Sequence, residues 1–341
     1  MIDFNNKLIL TGIKPTGTLH IGNYFGALKP TIDAGNAAME RGGKLILFIA
    51  DYHAINAIKD GQFLNQTIKE LAAAYLAAGL DANKAVFYRQ SDVPEITELT
   101  TILMAYTPKG FMNKAHAYKA AVDKNKENNA PADAGINMGL YTYPVLMAAD
   151  ILGYGSDLVP VGKDQVQHVE IAQDIAGAIN AHYQQDILKI PQYYLKENAA
   201  IVPGTDGRKM SKSYNNVIPL CAPMDKVKKA VMSIKTDCQD INAPKNPDEI
   251  LLFEVLRSIT DSEIVTEVEE GLRKGGLGYG TIKKMILAEL QPVLEPLYEK
   301  YQYYLANFDT VEELLEQGAV KARALAKPVL DKVKSAVLGR F

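Results

Sequence analysis

Residues 8–24 read LILTGIKPTGTLHIGNY, an apolar run that leads through a Gly-rich turn into the start of a helix. Similar apolar runs, bounded by Gly, Asp or Ser, recur along the chain and are typical of buried strands. They predict strands at residues 8–10, 44–50, 85–88 and 157–161, with helices at about 22–38, 62–79 and 164–181. Because strands alternate with helices, we expect a doubly wound parallel sheet of the α/β class, with ligands at the carboxyl ends of the strands.

The composition is that of a folded protein with a sizeable core. The 341 residues are 48% hydrophobic and carry a formal net charge of −3, which argues against non-specific coating of nucleic acid. Only Cys221 and Cys238 are present, so we expect neither a structural zinc nor an iron–sulfur cluster, and a reducing compartment. No apolar run reaches membrane-spanning length, and residues 1–7 lead directly into the first strand. We therefore expect no targeting segment and a cytoplasmic, non-membrane protein.

The pattern divides the chain near residue 220. About sixty residues separate the third and fourth strands, and this insertion holds predicted helices near 94–106 and 135–152 with a polar, mobile segment at 122–130 between them. The region after residue 220 is entirely helical in pattern. Its predicted helices are at about 224–235, 248–259, 261–273, 280–305 and 310–337.

The turn after the first strand has the chemistry of a phosphate site. His20 and Asn23 lie three residues apart in the first turn of a helix, so both can donate hydrogen bonds to one ligand. The alternative is an ordinary strand-to-helix turn with a capping Thr, but capping alone does not require both His and Asn.

A second, cationic motif lies in residues 203–213, PGTDGRKMSKS. Two glycines before Lys209 and Lys212 suit a loop that closes over a ligand and brings positive charge to phosphates. Taken alone, the segment would be interpreted as a flexible surface loop. The chain has no GxxxxGK[ST] sequence, so a P-loop is excluded.

Asp150 stands in the apolar helical run 141–152, and a buried carboxylate needs hydrogen-bond donors. A capped or ion-paired Asp is one interpretation. The other is a ligand such as an indole, whose N–H is only a donor, with Met147 on the same helix face packing on its ring. After the last strand, Asp164 suits either a helix N-cap or a ribose hydroxyl, and Gln165 could accept from an ammonium group.

The two phosphate motifs resemble the HIGH and KMSKS signatures of class I aminoacyl-tRNA synthetases. The stretches GIKPTGTLHIGNYFGAL, ADYHAI, LMAAD, VPVGKDQVQH and GRKMSKSYNN occur in the order found in bacterial tryptophanyl-tRNA synthetases. The resemblance implies a Rossmann-like catalytic domain at 1–220 with the KMSKS loop at 203–218, followed by an all-helical anticodon-binding domain at 221–341 whose last helix could pack back on the catalytic domain. It also implies a homodimer that uses the insertion at 92–156.

The same resemblance implies Mg²⁺·ATP, L-tryptophan and tRNA(Trp) as ligands, with no DNA. Implied catalytic residues are Thr18, His20, Asn23, Lys209, Ser211 and Lys212. ATP would be bound by Lys14, Thr16, Gly22, Asn23, Lys119, Gly162, Asp164, Lys209, Met210, Ser211 and Lys212. Tryptophan would be bound by Leu10, Gly12, His53, Tyr143, Met147, Asp150, Ile151, Val159, Val161 and Gln165. Basic stretches at 226–235 and 321–340 are either solvated helix faces or contacts for tRNA.

Three alternatives remain open. Tyrosine activation on the same fold would share the ATP motifs and differ in the side-chain pocket. A nucleotidylyltransferase such as a pantothenate-activating ligase would use a HIGH-like helix but would not need the helical region after residue 220. A non-catalytic paralogue that binds RNA or tryptophan would have no use for intact His20, Asn23, Lys209 and Lys212.

Overall fold

Five parallel strands form the central sheet of this computed structural model, which describes residues 6–15, 17, 19–162, 165–195 and 202–339. The strand order is β3-β2-β1-β4-β5, and every neighbouring pair is parallel. The strands are β1 (Leu8–Ile13), β2 (Lys44–Ile49), β3 (Val86–Arg89), β4 (Leu158–Val161) and β5 (Gln192–Leu195). The doubly wound α/β prediction is therefore confirmed.

Helices connect the strands and occupy both faces of the sheet. Between β1 and β4 they are α1 (Ile21–Asn23), which continues through a π-helical turn (Tyr24–Leu28) into α2 (Lys29–Glu40), then α3 (Asp51–Ala54), α4 (Gly61–Ala77), α5 (Pro94–Ala105), α6 (Lys109–Met112), α7 (His116–Glu127) and α8 (Met138–Leu152). Beyond β4 they are α9 (Val166–Tyr183), α10 (Met224–Met232), α11 (Leu251–Ile259), α12 (Glu263–Lys274), α13 (Tyr279–Ala306) and α14 (Phe308–Leu338). No helix in the described part of the chain is both long and apolar enough to cross a membrane.

Two features differ from the sequence prediction. Strand β5 was not predicted, because its residues Gln192–Leu195 lie at the sheet edge, are half-buried or exposed, and form no apolar run. The segment predicted to be polar and mobile is, up to Glu127, the second half of α7. The side chain of Asn125 donates to the carbonyls of Ala132 and Ala134, both at 2.9 Å, so hydrogen bonds rather than apolar burial organise this segment.

Alternation along the strands divides the core into two clusters, one on each face of the sheet. On β2, Leu45 and Leu47 face the cluster that includes α4 and α10–α13, whereas Ile46 and Phe48 face the cluster that includes α5, α8 and α9. Helices of the C-terminal region thus complete both clusters. The boundary near residue 220 stays a prediction.

Helix α14 covers the edge strand β3. A Cβ added at Gly318 would overlap the carbonyl oxygen of Phe87, so the helix backbone lies directly on the strand. Side chains before this point, such as Leu315, belong to the cluster that includes α4. Those after it, such as Ala322, belong to the cluster that includes α5, α8 and α9. The helix therefore wraps around an edge that would otherwise be open to pairing with another chain.

Basic residues of α14 are engaged within the chain. Lys321 donates to the carbonyl of Asn83 at 2.8 Å, and Arg323 pairs with Glu95 at 3.0 Å. Further contacts of this kind join Lys334 to Glu98 at 2.7 Å and Lys332 to the carbonyl of Asp186, and Lys327 pairs with Asp331 on the same helix at 2.9 Å. These contacts favour an intramolecular role for residues 321–334 over contact with tRNA.

Candidate active site

A cavity of about 390 Å³ opens where β1, β2 and β4 end at their carboxyl termini. This is the edge at which parallel α/β sheets bind ligands. All ten residues predicted to bind tryptophan line it, as do Lys14 and Gly162 from the predicted ATP set. Five further lining residues were not predicted: Thr11, Phe48, Ala50, Pro160 and His168. Strand alternation could have indicated Phe48, because its side chain lies on the same face of the sheet as that of Ile46. The position of His168 in the cavity wall depends on tertiary packing and has no signal in the local sequence.

Gly12 and Phe48 form part of the cavity wall by close approach. A Cβ at residue 12 would overlap the Phe48 ring, so glycine is required for the strand and the ring to pack together. The Phe48 ring in turn stacks at 5.9 Å on Tyr88 of the neighbouring strand. The wall is therefore apolar and held by the sheet itself.

Asp150, on α8, is 1% exposed and lies in the cavity wall. Its carboxylate lies 2.9 Å from Nε2 of His53 and accepts from the side-chain amide of Gln90, which reaches both oxygens at 2.9 and 2.8 Å. Burial raises the pKa of Asp150, and these hydrogen bonds act in the opposite direction. The interpretation of a partnered carboxylate and that of a ligand group are thus compatible, because the partnered carboxylate still lines the cavity. The sequence places Gln90 directly after the third predicted strand, at the edge of the sheet where ligands are expected, but it predicts no role for this side chain.

The polar side of the cavity is formed by Tyr143, His168 and Lys14. The Tyr143 hydroxyl lies 3.3 Å from Nε2 of His168, and the Lys14 ammonium lies 5.5 Å from the centre of the Tyr143 ring. Burial lowers the pKa of Lys14 and raises that of Tyr143. A cation and a phenol therefore lie close together in one part of the cavity.

His20 and Asn23 form a reciprocal capping box at the start of α1. The Asn23 backbone N–H donates to Nδ1 of His20 at 3.2 Å, and the His20 backbone N–H donates to Oδ1 of Asn23 at 3.1 Å. Both residues therefore take part in capping the helix, so the presence of the pair does not by itself indicate a phosphate site. Burial, followed by the charges of Lys212 and Lys209, lowers the pKa of His20 to about 4. Because Nδ1 accepts, the proton of the neutral ring is on Nε2, which remains a donor.

The cationic loop lies against this helix start. The Ile21 N–H donates to the Ile218 carbonyl at 3.0 Å, and the Leu220 N–H donates to the Leu19 carbonyl at 3.1 Å. The Lys212 ammonium lies 3.0 Å from where a Cβ on Gly17 would be. Burial lowers the pKa of Lys212, opposed by the charge of Glu70. The two motifs are thus adjacent, although almost two hundred residues separate them in the sequence.

Asn216 sets the shape of the loop from its interior. Its side chain is 1% exposed, and its Oδ1 accepts from the Ser211 N–H at 2.8 Å. Its amide nitrogen donates to Asp206 at 2.7 Å and to the Lys209 carbonyl at 3.2 Å. The sequence analysis did not assign Asn216 a role, although it ends the matching stretch GRKMSKSYNN.

Several predicted residues lie elsewhere or cannot be placed. Lys119 is an exposed residue of α7 and does not line the cavity, and its contact with ATP stays a prediction. Met210 is 4% exposed and packs in the core beneath Gly22, as an anchor of the loop. Thr16, Thr18 and Asp164 are outside the described residues. Within the described ranges, no three His, Cys, Asp or Glu side chains come together as a metal site.

The fold and the two phosphate motifs define a class I tRNA synthetase. The family model described as tRNA synthetases class I (W and Y) matches residues 5–296, and the chain belongs to this family.

Relatives that are 40–45% identical to this chain are tryptophan–tRNA ligases. The chain is 45% identical over 331 residues to the tryptophan–tRNA ligase of Pseudomonas aeruginosa, covering 96% of this chain and 73% of the relative. It is 43% identical to that of Neisseria meningitidis, covering 98% of both. The crystal structure of tryptophanyl-tRNA synthetase from Campylobacter jejuni, complexed with ADP and tryptophan, superposes with a TM-score of 0.86. That structure is 40% identical, and the match covers 98% of this chain and 100% of the other.

Proposed function

We propose that this chain is a tryptophan–tRNA ligase. The carboxylate of L-tryptophan attacks the α-phosphorus of Mg·ATP, the bond to pyrophosphate breaks, and tryptophanyl-adenylate forms. A terminal ribose hydroxyl of tRNA(Trp) then attacks the acyl carbon, and AMP leaves. The observation that carries this proposal is the position of Asp150, a buried carboxylate in the wall of a cavity that Gly12 and Lys14, from the stretch leading into the HIGH helix, also line.

The cavity suits the amino acid. Asp150 accepts from the indole N–H, and Met147 packs on the ring from one turn earlier on α8. Gln165 and Tyr143, at the polar end, bind the amino group, and Lys14 approaches the carboxylate. An apolar wall with a few convergent polar groups is what binds and orients a small ligand.

The phosphates bind at the start of α1. The Nε2–H of His20 and the amide of Asn23 donate to the reacting phosphate, whose charge spreads in the transition state. Lys209 and Lys212 compensate the charge of the departing pyrophosphate. Magnesium enters with ATP as part of the substrate, since Mg²⁺ at such sites is held largely by phosphate oxygens.

Two further parts of the proposal concern partners. An apolar groove beside the cavity includes Ile55, Met104 and Leu146, and Ile55 and Met104 are 46% and 42% exposed. We assign this surface, with the insertion 92–156, to a homodimer interface.

The region 221–341 would bind the tRNA anticodon in the cytoplasm, and Lys226, Lys228 and Lys229 on α10 are exposed for such contacts.

Amino-acid-dependent ATP–pyrophosphate exchange tests the proposal, with tryptophan and tyrosine assayed side by side. We expect exchange with tryptophan only. Asp150→Ala should lower kcat/KM for tryptophan, because loss of a buried partner costs about 1–3 kcal/mol. Asp33→Ala, which removes an exposed partner of Lys29 on α2, is the control and should leave exchange unchanged. Exchange with tyrosine alone, or with neither amino acid, would refute the proposal.

A further inference from the structure

We propose that Gln90 is the positioning residue for tryptophan specificity: it holds the Asp150 carboxylate so that one acceptor position faces the cavity. The inference rests on the proposed function and extends it. Gln90 is 1% exposed, follows β3, and is not among the residues lining the cavity, so it acts through Asp150 rather than on the ligand.

The Asp150 carboxylate accepts hydrogen bonds from two side chains, and its two oxygens offer about four acceptor positions. The Gln90 amide lies across both oxygens, with Nε2 at 2.9 Å from Oδ1 and 2.8 Å from Oδ2, so its N–H is shared between them. Nε2 of His53 lies 2.9 Å from Oδ2. Oδ1 therefore has only the shared hydrogen bond and keeps an acceptor position for a further donor, such as the single N–H of an indole ring.

The two donors are held by one further carboxylate, Asp51. Its oxygens accept from the backbone N–H of Ser91 at 3.0 Å and from the Ser91 hydroxyl at 2.5 Å, which fixes the residue after Gln90. The same side chain accepts from the Tyr52 N–H at 2.8 Å, at the start of the helix that carries His53. Gln90 and His53 are therefore positioned together before any ligand binds.

The orientation of the Gln90 amide is set by charge. A flipped amide would turn its oxygen toward the carboxylate, and two acceptors would repel each other. In the observed orientation the amide oxygen is buried without a partner among the described residues. The unpaired oxygen is unfavourable for folding, and the hydrogen bond from the amide to the buried Asp150 carboxylate offsets that cost. The orientation of Gln90 is therefore explained by its contact with Asp150.

The experiment compares tryptophan with β-(3-benzothienyl)alanine, in which sulfur replaces the indole N–H. For Gln90→Met, which has similar size and no N–H, kcat/KM for tryptophan in pyrophosphate exchange should fall roughly tenfold to a hundredfold. The analogue makes no N–H bond to Asp150, so its kcat/KM should change much less. The ratio of kcat/KM for tryptophan to kcat/KM for the analogue therefore falls, chiefly because the KM for tryptophan rises.

The analogue protects the test against misfolding, because a misfolded variant would lose exchange with both substrates. Gln90→Glu keeps the shape but places a carboxylate against Asp150, so it should reduce tryptophan selectivity at least as strongly. Gln66→Met, on the exposed side of α4, is the control for a Gln-to-Met change and should keep the wild-type ratio. Equal losses for both substrates would mean a merely structural role, and an unchanged ratio would also overturn the inference. Absence of tryptophan-dependent exchange in the wild type would instead refute the proposed function.

Discussion

His20 is a residue whose role in the fold and role in the proposed chemistry depend on the same ring. Nδ1 accepts the Asn23 backbone N–H, and this bond directs the ring proton to Nε2. The lysines of the loop and burial keep the ring neutral. A neutral donor at this point can bind a phosphate oxygen at any physiological pH, with no proton to exchange.

The lowered pKa of His20 predicts how the free energy of unfolding depends on pH. The pKa of His20 is about 4 in the folded chain against an ordinary value of 6.5, so between these limits the unfolded state binds the proton and the folded state does not. His20 therefore contributes stability fully above about pH 6.5, and this contribution falls as the pH drops toward 4.

His20→Asn keeps a capping acceptor and cannot titrate. We expect the free energy of unfolding of the wild type to fall more steeply from pH 6.5 to 4.5 than that of the variant, with a constant difference above pH 7. Urea denaturation across this range measures both curves. Parallel curves would contradict the depressed pKa.

At the scale of elements, the shape of the KMSKS loop depends on a side chain that is not itself predicted to contact a ligand. Asn216 ties Ser211, Asp206 and the Lys209 carbonyl to one point. We expect Asn216→Ala to lower kcat for pyrophosphate exchange about tenfold or more, because the lysines lose their fixed placement. Asn215→Gly is the matched control: residue 215 has φ +50°, which glycine adopts readily, so exchange should stay near wild type.

Pre-steady-state kinetics of adenylate formation would separate this effect from binding. If Asn216→Ala raised only the KM for ATP, the loop would be a binding element and the prediction would be wrong.

Helix α14 and strand β3 give a second prediction at this scale. Gly318→Ala introduces a methyl group where the Phe87 carbonyl stands, and we expect it to destabilise the chain by about 1–3 kcal/mol or more. Gly177→Ala, in α9, meets no atom within 4 Å and should stabilise by about 0.5–1 kcal/mol. Chemical denaturation of the two variants checks the opposite signs. A Gly318→Ala variant as stable as the wild type, or more stable, would mean that α14 does not rest on the strand.

At the scale of the whole molecule, the helical C-terminal region and the sheet share their cores. Ile286 and Leu290 of α13 belong to one cluster with β2, and Leu330 and Val333 of α14 belong to the other. The basic side chains of α14 add contacts to Asn83, to Glu95 and Glu98 on α5, and to Asp186. A region that fills both clusters cannot separate without exposing both faces of the sheet.

We therefore expect the chain to unfold as one cooperative unit. Differential scanning calorimetry should give a single transition, with equal calorimetric and van't Hoff enthalpies per folded unit. Chain 1–220 expressed alone should not fold, since it would expose the apolar faces that α13 and α14 cover. Two resolved transitions, or a stable 1–220 fragment, would support two independent domains instead.

Much of the fold could be predicted from local sequence. Short apolar runs indicate β1 to β4, because a strand buried on both faces needs no polar alternation. Edge strand β5 lacks that signal, and α7 has little apolar surface, so both were misjudged. Family membership was likewise evident in the sequence, since the motifs that carry it are contiguous stretches.

The sequence alone determined the parallel α/β class, the two phosphate motifs and the family. Only the tertiary structure decided which distant residues share one site: Gln90 with Asp150, Asn216 inside the lysine loop, and α14 over β3. Chain order specifies neighbours a few residues apart, through helix and strand periodicity. Contacts between the ends of different strands depend on packing, which is a property of the whole chain. The function of a buried polar group is therefore evident only when its partners are in place.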